Sequence, residues 1–168
     1  MGARIQLEGS SHIRITGQGG LLRGASFSIM PDRIEALTWI ILGAVTGGTL
    51  LVKNVPFDTM EVPLIHLRDA GLDLFSNSDT IMVSPDCIGP HGIQPFELAT
   101  GTHPGVISDM QSFFVFLALF ANGRSVIYDY RYPERIAYVN ELAKFAPNAL
   151  EAEPGRIIIE GPVRLQGA

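Results

Sequence analysis

The sequence predicts an α/β (α+β) fold built from repeated units, with helices buried in the middle and sheets outside. Three observations lead there. Strand-like segments HIRITG, TIMVSP and RIIIEG recur at intervals of roughly 70 residues, a spacing that points to internal duplication. Residues 31–55 (PDRIEALTWIILGAVTGGTLLVKNV) and 108–130 (SDMQSFFVFLALFANGRSVIYDY) follow one plan: an acidic residue after Pro or Ser, a largely apolar run, a Gly stop, then a short β-branched strand. The first helix of each unit is apolar nearly all round, whereas the second is amphipathic. A helix of the first kind must be enclosed on every side, and one of the second kind can keep a face in water.

The elements follow in order. HIRITG is a strand and GQGG after it a turn; the following LLRG lacks the Lys-Ser/Thr of a phosphate loop. The first buried helix begins at MPDRIEA, where Asp32 suits a cap and Glu35 a capping-box return. Residues 36–52 carry no charge, yet Gly47-Gly48 divides them into a core helix and the strand TLLVKNV, so a membrane span is not expected. FDTMEVPLIHLRDAG reads as an amphipathic helix leading to a β-hairpin. The second unit repeats the order with SDMQSFFVFLALFANG, RSVIYDY, YPERIAYVNELAKFAP and a closing hairpin. Two units reading α-β-α-β-β result, over about 18–84 and 85–161, within a single domain spanning 1–168. The stretches 13–25 (IRITGQGGLLRGA) and 157–168 (IIIEGPVRLQGA) share I-x-I-x-G and L-x-G-A, so a third unit would begin where the chain stops.

Composition narrows the class. The 168 residues are 46% hydrophobic and 17% charged, with mean hydropathy +0.24. This charged surface is thin for a free-standing globule, and apolar surface is expected to face a partner, a further part of the same chain or a second copy. Net charge is −5 and the 12 Lys and Arg are scattered, which argues against nucleic acid. Cys87 is the only cysteine, so there is no internal disulfide or thiolate cluster, and a reducing, cytoplasmic setting fits. The N-terminus has no secretory apolar core.

Few residues are placed for chemistry. Asp109 heads the second apolar run after Ser108; it is either a cap or first-turn carboxylate, or a general base beside a bound hydroxyl. Arg33 is a cation at a helix N-terminus, against the dipole; it either binds an anion or pairs with Asp32 or Asp109. Arg135 reads as a helix-start Arg that pairs with Glu134 or Glu141, or holds an anionic group. His12, His66, His91 and His103 have no metal-binding spacing, and Cys87 sits beside Asp86, which disfavours a thiolate. No cofactor is expected.

The motifs MPDRIEA (30–36), HPGVISDMQ (103–111) and ERIAYVNEL (134–142), with IRITG...LLRGA and RIIIEG...RLQGA, resemble the UDP-N-acetylglucosamine 1-carboxyvinyltransferase family of enolpyruvyl transferases. The resemblance covers nearly the whole chain. It implies an inside-out α/β lobe made of three units, of which this chain supplies about two, and transfer of the enolpyruvyl group of phosphoenolpyruvate to the 3-hydroxyl of UDP-N-acetylglucosamine for peptidoglycan synthesis. It also implies that Asp109 contacts and deprotonates that hydroxyl, that Ser108 and Arg135 help bind substrate, and that Asp32, Arg33 and Glu35 form a lobe-interface motif. The family's Lys-Asn pair, its loop with an acid Cys and its C-terminal Arg residues do not occur here. The chain therefore reads as an internal piece, inactive alone, with further units of the same enzyme as partners. Where the family has Pro-Thr-Asp-Met-Gln this chain has Ile107 and Ser108 before Asp109, and where it has Phe-Glu-Asn-Arg it has Tyr132, Pro133, Glu134 and Arg135. Such changes bear on acceptor specificity. A non-catalytic half-lobe and a transferase for another alcohol are the alternatives.

Overall fold

The computed structural model describes residues 1–20 and 22–167. Each of the two similar end stretches therefore includes one residue outside the described set, Leu21 or Ala168. The chain divides into two compact units, Met1–Met30 and Pro31–Ala168.

The first unit is built on an antiparallel hairpin of β1 (Arg4–Glu8) and β2 (His12–Thr16). Alternation puts Ile5 opposite Ile15 and Leu7 opposite Ile13 on one face. Arg14 pairs with Glu8 on the other, at 2.7 Å.

In the second unit the α-β-α-β-β order appears twice. α1 (Arg33–Thr46), β3 (Leu50–Lys53), α2 (Phe57–Asp69), β4 (Phe75–Ser76) and β5 (Thr80–Val83) come first. A short strand, β6 (Glu97–Ala99), follows, and then α3 (Gln111–Ala118), β7 (Arg124–Tyr128), α4 (Ala137–Leu142), β8 (Leu150–Glu153) and β9 (Arg156–Glu160). One sheet has the order β3-β5-β4 and the other β6-β7-β9-β8; only the β6–β7 pair is parallel among these named strands. α1 packs on β3 and β5, α3 packs on β7 and β9, and the two helices meet each other. Helices thus lie between the sheets, as the apolar runs required. None of the described helices is long and apolar enough to cross a membrane.

α3 fits the expectation of full enclosure: Phe114, Val115, Leu117 and Ala118 are completely buried, and Phe113 and Phe116 are half-buried. α1 does not. Glu35, Trp39, Leu42 and Thr46, spaced along one helix face, are exposed, with Trp39 at 45%. The opposite face carries Leu37, Ile40, Ile41 and Ala44 into the core. There Gly43 sits against the sheet, where a Cβ would lie 3.0 Å from Leu50 Cδ1 and 3.1 Å from Val83 Cγ1. A helix-interior glycine costs about 1 kcal/mol relative to Ala, and close helix–sheet contact offsets that cost here.

Two helices are shorter than the sequence suggests. The second apolar run opens as a 3-10 turn, Ser108–Met110, and closes in another, where the amides of Leu119, Phe120 and Ala121 bond to carbonyls three residues back. That tight end receives the C-terminal segment: Val163 N donates to the Leu119 carbonyl at 2.7 Å. The amphipathic run 132–147 is helical only over Ala137–Leu142, because the Pro133 carbonyl, which an α-helix from Tyr132 would offer to Ala137 N, accepts from Gly155 N at 3.0 Å instead.

Gly161 lies where this segment crosses the end of α3. A Cβ there would meet the backbone carbonyl of Ala118 at 2.7 Å, and that of Ala121 closer still. Backbone cannot step aside as a side-chain tip can, so Gly161→Ala is expected to destabilise the protein by about 1–3 kcal/mol despite adding only a methyl group. Phe114→Ala, which empties a fully buried ring site, is expected to cost about 3–5 kcal/mol. Urea unfolding at constant m-value measures both.

Candidate active site

One carboxylate organises the end of the second sheet. Asp129 follows β7 directly and is 2% exposed. Its Oδ1 accepts from the backbone amides of Arg131 at 3.1 Å and Tyr132 at 2.8 Å. These bonds close a side-chain-to-backbone turn over residues 129–132. Its Oδ2 accepts from Gln111 Nε2 at 3.2 Å. Gln111, the lone amide in the apolar run, is itself buried and accepts from the Tyr138 hydroxyl at 2.9 Å. Burial pushes the Asp129 pKa up. The Tyr132 amide, the Ser108 and Thr100 hydroxyls and the Arg131 amide together more than offset this, and leave it below the usual carboxylate value. Burial also raises the Tyr138 phenol, and the Asp129 charge adds to the effect.

Around this buried centre stands an exposed ion pair. Arg135 Nη1 donates to Asp109 Oδ1 at 2.6 Å, with the Asp109 side chain 57% exposed. The guanidinium also lies over the Tyr132 ring, 4.8 Å from its centroid. The bond to Asp109 raises the Arg135 pKa.

Two expectations are corrected here and one is narrowed. Asp109 is a first-turn carboxylate, of the 3-10 turn, and makes no capping hydrogen bond, since its carboxylate is turned to Arg135. Arg135 sits in the turn before α4, where its amide bonds to the Tyr132 carbonyl, and it pairs with Asp109 instead of Glu134 or Glu141. Arg33 pairs with neither Asp32 nor Asp109; its Nη1 is 3.1 Å from His103 Nδ1. Asp32 does cap α1, accepting from Ile34 N at 2.8 Å, while among the described residues Glu35 makes no return bond.

Ser108 is buried at 6%, 3.5 Å from the Thr100 hydroxyl, beside the Asp129 carboxylate and next to Asp109 in the chain. The sequence reading missed Asp129, Gln111, Thr100 and Tyr138. Its available signal was a single amide in a helix apolar all round, because a buried polar group needs a partner. Among the described residues no three His, Cys, Asp or Glu are grouped to hold a metal. Cys87 is buried and its thiol is pushed up, mainly by burial, so it is a poor nucleophile. The arrangement offers a positioned, accessible carboxylate able to accept a proton, beside a guanidinium able to orient it or hold an anion.

The family model for EPSP synthase (3-phosphoshikimate 1-carboxyvinyltransferase) matches residues 1–168. UDP-N-acetylglucosamine 1-carboxyvinyltransferase of Azorhizobium caulinodans is 39% identical over 168 residues, 100% of this chain and 38% of the relative. UDP-N-acetylglucosamine 1-carboxyvinyltransferase 2 of Bacillus anthracis is 38% identical over the same length and likewise 38% covered. The chain thus spans well under half the length of these curated relatives. Among solved structures, the enolpyruvyl transferase NikO from Streptomyces tendae superposes with a TM-score of 0.77 at 21% identity, covering 99% of this chain and 39% of that one. EPSP synthase from Acinetobacter baumannii gives 0.64 at 20% identity, with the same coverage. At these identities the two structures speak for the fold.

The depressed pKa of Asp129 sets a pH dependence. A carboxylate whose folded pKa lies below its unfolded value of about 3.9 stabilises the protein above that value and loses the contribution as pH falls through the folded pKa. Asp129→Asn is therefore expected to lower stability at pH 7 and to make the loss between pH 5 and about pH 2 shallower. Urea midpoints of both proteins across that range test this. A loss as steep in the variant as in the parent would exclude the assignment.

Proposed function

The chain belongs to the EPSP synthase family, and from that membership we propose that it forms part of an enolpyruvyl transferase acting on UDP-N-acetylglucosamine in peptidoglycan precursor synthesis. The acceptor is inferred from the names of relatives that are 38–39% identical along the whole chain. The observation that carries the chemistry is the exposed Asp109 carboxylate, held at 2.6 Å by Arg135 on a buried scaffold.

In this reading Asp109 takes the proton of the sugar 3-hydroxyl as that oxygen adds to C2 of phosphoenolpyruvate and the C2=C3 π pair takes a proton at C3 from an acid on a further segment. Loss of a C3 proton and of phosphate from C2 then gives the enol ether. Arg135 orients the carboxylate, and Ser108 supports the turn that carries it. The tetrahedral phosphate-bearing intermediate then needs cationic groups, and these would come from further segments of the enzyme. Asp32, Arg33 and Glu35, with Arg33 against His103, are proposed to face such a segment across a lobe interface. Trp39 and Leu42 on α1 offer an apolar surface for further units or, failing them, a second copy. A cytoplasmic location belongs to the same reading and rests on the single, buried Cys87.

A second acceptor is favoured by one feature. Tyr132, Pro133 and Glu134 precede Arg135 where the resembled family has Phe-Glu-Asn, which alters shape and charge beside the ion pair. This reading is a transferase for another nucleotide-linked or cyclic alcohol.

The test uses a chimaera in which residues 1–168 replace the matching segment of the Azorhizobium caulinodans enzyme. Phosphate release from phosphoenolpyruvate with UDP-N-acetylglucosamine is expected. Asp109→Asn is expected to reduce kcat by about 10²–10⁴-fold, and the 168-residue chain alone to release none. A folded chimaera that releases phosphate only with other alcohols would favour the second acceptor. One that releases none with any alcohol would sink the transferase reading.

A further inference from the structure

The Asp109–Arg135 pair is short for two side chains that are 57% and 39% exposed. An exposed ion pair, solvated and screened, contributes too little to order two surface segments against each other. Something else must set their separation.

Asp109 sits in the Ser108–Met110 turn, which runs straight into Gln111 at the start of α3. Arg135 sits three residues after Tyr132, its amide bonded to the Tyr132 carbonyl at 2.9 Å. Both segments are tied to the same buried atom group. Gln111 donates to Asp129 Oδ2, and the Ser108 hydroxyl stabilises the same carboxylate; the amides of Arg131 and Tyr132 donate to Oδ1. Tyr132 also supplies the ring over which Arg135 lies. Hydrogen bonds to a charged acceptor are the stronger kind and are little screened in the interior, so this buried set outweighs the exposed pair.

We propose that Asp129 is the positioning residue of the site: its carboxylate clamps the Asp109 turn and the Arg135 turn together, and so keeps Arg135 on one oxygen of Asp109. This rests on the functional reading above only for its catalytic consequence. The clamp itself is a property of the chain. Tyr138 extends it through Gln111 and ties in α4, so three elements and one loop share a single anchor.

The test reads the Arg135 guanidinium directly in the 168-residue chain, by NMR of its Nη–H groups, which give separate signals when rotation is held by a bound carboxylate and an averaged signal when it is free. Asp109→Asn identifies the paired signature by abolishing it. Asp129→Ala is expected to lose the separate signals while the backbone amide spectrum of α3 and β7 persists. Asp129→Asn keeps the acceptor for both turn amides but sets an NH2 donor against Gln111 Nε2, so it loses the Asp109 arm and is expected to give partly averaged signals. If Asp129→Ala does not fold, Asp129→Ser, too short to span the turn amides and Gln111, takes its place. Separate signals in the folded Ala or Ser variant, or fully separate signals in Asp129→Asn, would overturn the proposal.

In the chimaera, Asp129→Ala is expected to lower kcat about 100-fold with the KM for the sugar nucleotide changed less than about threefold, the mark of lost orientation. A KM rise with unchanged kcat would count against it. No turnover in the unsubstituted chimaera would sink the functional reading and leave the resonances to decide the clamp.

Discussion

α3 can exist only where every side of it is covered. Its run QSFFVFLA presents apolar surface in all directions, and a helix of eight residues has little stability of its own in water. The second sheet covers one side, α1 another, and the returning C-terminal segment closes its end through Val163. Remove that enclosure and neither the 3-10 turn before the helix nor the one after it has a reason to keep its geometry. The arrangement of helices between sheets follows from this requirement.

Enclosure brings its own difficulty at the helix start. Gln111 is carried into the interior with the apolar residues, and a buried amide without partners costs roughly 1–3 kcal/mol. Asp129 and Tyr138 satisfy it from β7 and α4. Asp129 in turn would be costly as an isolated buried charge, and the amides of Arg131 and Tyr132 satisfy its other oxygen. Satisfying those atoms fixes the turn that starts at Asp129, and Arg135 lies in the segment after it, against Asp109. The exposed pair is thus the surface consequence of hydrogen bonds made in the interior.

The two halves of the second unit differ instructively. α1 is capped by Asp32 and leaves Trp39 and Leu42 in the open, whereas α3 has no side-chain cap and leaves no comparable face. Their shared element order comes with different surroundings, so corresponding acids do different things: Asp32 caps, and Asp109 forms an ion pair. A common sequence plan therefore does not transfer a residue's role from one unit to the other.

The order of helices and strands, the burial of the apolar runs and the capping role of Asp32 were legible in the sequence, because each depends on periodicity or on a neighbour a few residues away. The motif resemblance likewise pointed to the family that the whole-chain comparison establishes. The partner of Arg135, the partner of Arg33 and the Asp129 centre were not legible. The first joins positions 26 residues apart and the second positions 70 apart, and no local rule chooses among several acids of similar spacing. The length of α4 was illegible for the same reason: the Pro133 carbonyl, which a helix from Tyr132 would offer to Ala137 N, accepts from the distant Gly155 N. Sequence by itself determined which segments must be buried. Only the tertiary structure decided which polar groups were buried with them, since each had to find its partner across the fold, and those partners shape the site.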